Sequence, residues 1–217
     1  QKLFSLPLDA LFAHLLTALK DTPCKAMMAD LAAALSIQGQ ILPGRLSEKE
    51  NKALQDFVPE ACDVTTLIRL IRHNPPEDIP VQVKVLKEAR RISEQIRNTL
   101  DLPALSVDTG LPRDSFLRGV VRAAPELVFV RRKQQKRRQY MGNEGSEVLI
   151  SQFSRFSEKE EAALVFDQHS TPGKKGTQQT INMATCLAPV SFSLLAELGL
   201  GELVRRDPVW ENDRALL

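Results

Sequence analysis

The sequence has few aromatic residues and no long apolar run. Aromatic residues make up 5% of its 217 residues, with one Trp and one Tyr, which is too few for a large base-stacking platform. It has no apolar run of about 18 residues, so no membrane-spanning helix is predicted. It starts at Gln1 rather than Met and shows no signal peptide, so we expect a fragment of a longer, cytoplasmic protein.

Cysteine is also scarce. Cys24, Cys62 and Cys186 lie far apart in the sequence, and no Cys-x-x-Cys pair occurs. A structural zinc site needs four clustered ligands, and a disulfide framework needs more cysteines, so neither is predicted. We interpret the three residues as core or near-surface thiols of a protein from a reducing compartment.

Signatures of catalysis are missing as well. The three histidines, His14, His73 and His169, belong to no recognisable hydrolytic or metal-binding motif. Residues 173–177, GKKGT, do not fit a phosphate-binding loop, because Lys175 stands where Ser or Thr is required, and we expect a flexible hairpin loop there. We therefore predict no catalytic residue, no cofactor site and no metal site in this chain.

Positive charge, in contrast, is concentrated in one part of the chain. The net charge is only +2, but residues 113–140 carry nine basic and two acidic side chains. Residues 1–112 have a net charge of −1 and residues 141–217 a net charge of −4. Such segregation is typical of a surface that binds a polyanion.

At Pro125 the hydrophobic period changes from the 3.6 residues of a helix to the 2 residues of a strand. Before it, apolar residues recur at helical spacing in six segments, and Ser47 with Glu50 forms a capping-box pattern. After it, five short segments alternate with turn residues, and a helix from Ser191 to Leu203 follows. We predict an α+β chain of two domains: an α-helical bundle over residues 1–124, then a small OB-like antiparallel β-barrel with a C-terminal helix over residues 125–217.

The densest cluster of charge falls on the first two predicted strands. Six cations occupy the eight residues 131–138, and Tyr140 follows as a possible stacking ring. Crowded cations on a hairpin repel one another, and a polyanion that binds them releases its counterions. The candidate nucleic-acid-binding residues are Arg131, Arg132, Lys133, Lys136, Arg137, Arg138 and Tyr140. The alternative interpretation is a solvated basic turn.

Several passages, in order, match the patterns of a known family. Residues 3–13 resemble its G-x-x-L-A-x-L-P-x-x-P-R-L-A passage, and Arg138, Tyr140, Gly142, Gly145 and Leu149 fit its R-Y-x-L-x-x-G-x-G-x-x-L hairpin. Residues 161–167 and 181–189 resemble its next two strands, although Thr180-Ile181-Asn182 replaces Arg-Ile-Arg. The chain thus resembles the region that follows the winged helix in DEAH-box helicases, most closely the bacterial HrpB type.

This resemblance implies a ratchet-like helical bundle and an OB-fold that bind single-stranded RNA or DNA and support translocation. The parent protein would be an ATP-dependent helicase that uses ATP and magnesium, and its motor domains, which this chain lacks, would be partners. The chain alone would bind nucleic acid without hydrolysing ATP. The alternative function is a regulatory module whose basic hairpin docks an acidic protein partner.

Overall fold

A computed structural model describes residues 8–132, 140–172, 180–202, 209–211 and 214–216, the last two ranges as backbone. It confirms the predicted α+β class, with a helical part that precedes a small closed barrel. The first six α-helices are α1 (Ala10–Ala18), α2 (Thr22–Ser36), α3 (Glu48–Phe57), α4 (Asp63–Arg72), α5 (Val83–Thr99) and α6 (Arg113–Ala123). Their number agrees with the six segments of helical spacing before Pro125.

Local sequence explains where most of these helices begin. At α3, Ser47 accepts a hydrogen bond from the Glu50 amide and the Glu50 side chain accepts one from the Ser47 amide, so the predicted capping box is confirmed. Pro23 lies in the first turn of α2, where its missing N–H costs nothing. Helix α6 begins at Arg113, directly after Pro112, and no side chain among the described residues caps its first turn.

Five strands form a closed barrel in the order β1-β2-β3-β5-β4. The strands are β1 (Val128–Arg131), β2 (Tyr140–Gly142), β3 (Glu147–Ile150), β4 (Ala162–Pro172) and β5 (Thr180–Pro189). Four neighbouring pairs are antiparallel, but β3 and β5 are parallel, with Leu149 opposite Met183. The barrel is therefore mixed rather than wholly antiparallel, and it is compatible with an OB-like fold.

The described C-terminal part differs from the prediction. Helix α7 spans only Phe192–Glu197, with Ser191 as the predicted cap, and ends before Gly199 and Gly201, both of which have positive φ. Strands β6 (Val209–Glu211) and β7 (Arg214–Leu216) pair antiparallel as a separate two-stranded sheet that the sequence pattern did not indicate.

The helical part and the barrel share a hydrophobic core. Alternate residues of β4, Ala162, Leu164 and Phe166, pack with α1, α2 and α6, and the ring of Phe166 stacks on Phe116 at 6.2 Å. The residues on the other face of β4 belong to a second apolar cluster, which fills the barrel and includes Phe129. The division into two domains at residue 124 remains a prediction, since one apolar cluster joins the two parts.

A buried ionic cluster holds three helices of the bundle together. The carboxylate of Asp30 on α2 accepts hydrogen bonds from Arg97 on α5 at 2.8–3.0 Å and from Arg72 on α4 at 2.6 Å. Ser93 donates a further hydrogen bond to Asp30. Arg97 and Asp30 are both fully buried, so each charge depends on the other for compensation.

Candidate nucleic-acid interface

The basic segment connects two adjacent strands of the barrel. Strand β1 ends at Arg131 and β2 begins at Tyr140, and the two strands pair antiparallel with Arg131 opposite Met141. The chain therefore enters and leaves the basic segment at the same end of the barrel, as the predicted hairpin requires. Four of the predicted binding residues, Lys133, Lys136, Arg137 and Arg138, lie outside the described residues.

Arg131 is held by the loop that follows β3. Its guanidinium donates to the carbonyls of Glu160 at 2.8 Å and Ser157 at 3.2 Å, and it lies over the ring of Phe156, 5.9 Å from the centroid. Phe156 is itself buried inside the barrel. Arg131 therefore fastens the loop 151–161 across one end of the barrel, and a phosphate at its guanidinium would compete with these carbonyls.

Arg132 lies on the surface beside β2. Its guanidinium donates to the carbonyl of Asn143 at 3.3 Å. A Cβ on Gly142 would come within 2.4 Å of Arg132 Nε, so the absence of a side chain at Gly142 leaves the space that Arg132 occupies. Of the predicted cations within the described ranges, Arg132 is the more exposed, which suits it better to an incoming phosphate.

Tyr140 is half-buried at the start of β2. It stands opposite Leu149 of β3, which in turn stands opposite Met183 of β5. These three residues form a row across the sheet, at the point where the basic segment returns to the barrel. Tyr140 thus combines a partly exposed ring with a place on a rigid strand, and its role as a stacking ring stays a prediction.

A second aromatic residue near this end of the barrel was not among the predicted binding residues. Phe153 follows β3 by three residues, and half of its surface is exposed to solvent. Loop residues follow no helical or strand period, so hydrophobic patterning gives no signal for Phe153. Its aromatic character beside a polar, turn-rich stretch is the one sequence cue that could have drawn attention to it.

The loop that carries Phe153 is tied to the helical part through a buried carboxylate. Asp63, in the first turn of α4, accepts hydrogen bonds from Ser154 Oγ at 2.6 Å, Arg155 N at 2.7 Å and Leu187 N at 3.0 Å. Burial raises the pKa of Asp63, and these hydrogen bonds oppose that rise. The Arg155 guanidinium bonds Thr66 Oγ1 and the carbonyl of Val58, which fixes the loop further.

Basic groups elsewhere in the chain are arranged differently. Arg118 on α6 pairs with Glu197 on α7 at 2.5 Å, and the neighbouring Arg122 is exposed. Lys174 and Lys175 lie outside the described residues. In the described part of the chain, Arg132 and Tyr140 thus remain the predicted residues best exposed near the basic segment.

The cysteines and two of the histidines occupy structural positions. All three cysteines are buried, as predicted, and burial raises the pKa of each thiol. His14 Nε2 lies 2.9 Å from the carbonyl of Ala123, and His73 occupies the C-terminal end of α4. Among the described residues, no three His, Cys, Asp or Glu side chains are grouped as metal ligands, and no helix could span a bilayer.

Comparison with known proteins gives no family for this chain. No protein-family model matches it, and no curated protein matches it significantly.

Proposed function

We propose that this chain binds single-stranded nucleic acid through one end of its barrel. The observation that carries the proposal is the topology: in a closed five-stranded barrel, five cations occupy the connection between β1 and β2, and a sixth, Arg131, ends β1. In OB-folds, this connection and the face of strands 2 and 3 contact oligonucleotides. Tyr140 and Arg132 flank the connection, one with a ring for a base and the other with a cation for a phosphate.

We further propose that the chain is the helicase-associated C-terminal region of a cytoplasmic DEAH-box RNA helicase of the HrpB type. The order of a helical part followed by a small barrel supports this, and so does the sequence resemblance. Its partners would be single-stranded RNA or DNA and the motor domains of the parent chain. In this role the chain supplies part of the strand path, and the motor supplies ATP and magnesium chemistry.

Fluorescence anisotropy with a labelled single-stranded 12-mer, titrated over a salt series, tests the binding proposal. With three to five phosphates neutralised, we expect log affinity to fall against log salt with a slope of about −2 to −3.5. A triple variant, K136A/R137A/R138A, should flatten this slope by up to about 2. Arg131 is left unchanged because it holds the loop 151–161.

The matched control removes three exposed lysines from the helical part, as K52A/K84A/K87A. This variant has the same net charge as the test variant, so an equal loss in both would show a general charge effect and contradict the assignment. Absence of oligonucleotide binding at about 50 mM salt would overturn the proposal and favour docking to an acidic protein. Phosphate release from ATP should stay at the level of a buffer control, because the chain has no phosphate-binding loop.

A further inference from the structure

A cavity of about 220 Å³ lies where the helical part meets the barrel. It is lined by the loop 37–44 after α2, by Phe153 and by residues from the middle of β4 and β5. Leu35 and Leu67 supply apolar surface, and Asp167 and Thr185 supply polar groups. A flat ring that carries hydrogen-bonding groups on its edge suits such a lining.

Phe153 stands at the mouth of this cavity. Its ring lies against Gly44, where a Cβ would come within 3.2 Å of the ring, so glycine permits this close contact. The residue lines both the cavity and a wider groove of about 750 Å³ that contains Arg45. Half of the side chain is exposed, although a phenylalanine gains free energy from burial. An exposed ring between two concave surfaces can stack on a planar ligand.

The strands bend where they line the cavity. The register between β4 and β5 shifts on both sides of Asp167, and both Ala184 and Leu187 face the barrel interior although they are three residues apart. This irregularity breaks the normal alternation of sides at Thr185. Asp167 and Thr185 are each partly exposed, and the Thr185 hydroxyl donates to the Asp167 carboxylate. A carboxylate, which accepts hydrogen bonds and cannot donate them, is thus presented on the cavity wall.

The cavity lies at the same end of the barrel as the basic segment. Tyr140, where that segment ends, pairs with Leu149 near the end of β3, and Phe153 follows four residues later in the loop that leaves this strand. Arg131, where the segment begins, is bonded to the loop 151–161 that carries Phe153. A strand held at its phosphates by the basic segment would therefore pass within reach of Phe153.

We propose that the junction cavity holds one unpaired base of a single strand, stacked on Phe153, with Asp167 accepting a hydrogen bond from the base's amino group. This inference rests on the proposed function and deepens it. Cytosine, adenine and guanine each carry an exocyclic amino group, whereas uracil offers carbonyl acceptors instead. The site should therefore discriminate against uracil, because a carbonyl oxygen stands where cytosine has its amino group and would face the Asp167 carboxylate, which leaves only the ring N3–H as a donor.

The first test measures how much the Phe153 ring contributes to the affinity of the full 217-residue chain for a labelled C12 oligonucleotide. Base stacking on an aromatic ring is worth about 5- to 100-fold in affinity, so F153A should lose affinity for C12 by that factor. F153Y should keep most of the affinity. The control is F192A, which removes another exposed ring, on α7 away from the cavity. Thermal melts of each variant establish that it is folded.

The second test concerns base preference. Wild type should bind C12 about 5-fold more tightly than U12, and D167A should bring the ratio close to one. If wild type binds neither oligonucleotide, both the proposed function and this inference fail. If wild type binds with the expected salt slope while F153A binds equally well, or D167A keeps the full preference, only the base site is overturned.

Discussion

Asp30 and Asp63 are both buried carboxylates, but different kinds of donor satisfy them. Asp30 lies inside the helical part and faces two arginines, so charge compensates charge. Asp63 lies where the helical part meets the barrel, and its three donors are two backbone amides and one hydroxyl. The first arrangement joins helices to one another. The second joins α4 to backbone amides of the barrel part, so the hydrogen bonds of Asp63 form only when the two parts are docked correctly.

Removing the Asp30 carboxylate should have the largest effect. D30A leaves Arg72 and Arg97 with side chains 5% and 0% exposed and without their counter-charge. We expect the free energy of unfolding to fall by about 3–5 kcal/mol, measured by urea denaturation. D78A, which breaks the exposed Lys49–Asp78 pair, is the control and should cost less than about 1 kcal/mol. Equal losses in the two variants would contradict the role given to burial.

Removing the Asp63 carboxylate should cost somewhat less but act at a different place. D63A leaves the amides of Arg155 and Leu187 without an acceptor, and we expect a loss of about 2–4 kcal/mol in the free energy of unfolding. Hydrogen exchange followed by NMR should show faster exchange at these two amides. D30A should accelerate exchange mainly in α2, α4 and α5. Identical exchange patterns in both variants would remove the distinction between the two carboxylates.

Two serines provide a finer comparison. S154A removes one of three hydrogen bonds from Asp63, whereas S93A removes one donor from Asp30 and leaves both arginines in place. We expect S154A to lower the free energy of unfolding by about 1–2 kcal/mol and S93A by less than about 1 kcal/mol. Urea denaturation of both single variants measures this. A larger loss for S93A than for S154A would mean that the two arginines do not compensate for the hydrogen bond that Asp30 loses.

The smallest effect is expected at the surface contact between α6 and α7. Arg118 and Glu197 form a short ion pair, but both side chains remain substantially exposed, at 39% and 56%. R118A should therefore change the free energy of unfolding by no more than about 1 kcal/mol, and about 1 M salt should remove the difference. A loss as large as that of D63A would show that this pair, too, fastens the helical part to the barrel.

The sequence predicted elements whose signals are local. The Ser47–Glu50 box and the apolar run 162–166, which predicts a strand, both depend on neighbours in the chain, and both are confirmed. The parallel β3–β5 pair could not be predicted, because its partners, such as Leu149 and Met183, are brought together only by the whole barrel. The burial of Arg97 was missed for the same reason, since its compensating charge, Asp30, is 67 residues away.

The residues of the candidate site likewise divide into those with a local sequence signal and those brought together only by the fold. The cations of residues 131–138 are evident from the sequence composition alone. The two strands that flank them lie where the strand-like period of two residues predicts them. Phe153 and Asp167 were not marked by hydrophobic period or by charge clustering, because a loop ring and a carboxylate beside a bulge become a site only when distant segments meet. Nor could the sequence show that Arg131 lies over Phe156 and bonds two loop carbonyls.

The position of Asp63 also bears on the order in which the protein is made. One of its hydrogen-bond donors, Leu187, is synthesised 124 residues later. Until β5 leaves the ribosome, the Asp63 carboxylate is hydrated, and as an acidic residue in the first turn it favours the nascent α4 through the helix dipole. The same side chain thus serves first a growing helix and later the finished barrel, and the cost of dehydrating it falls only after β5 has been synthesised.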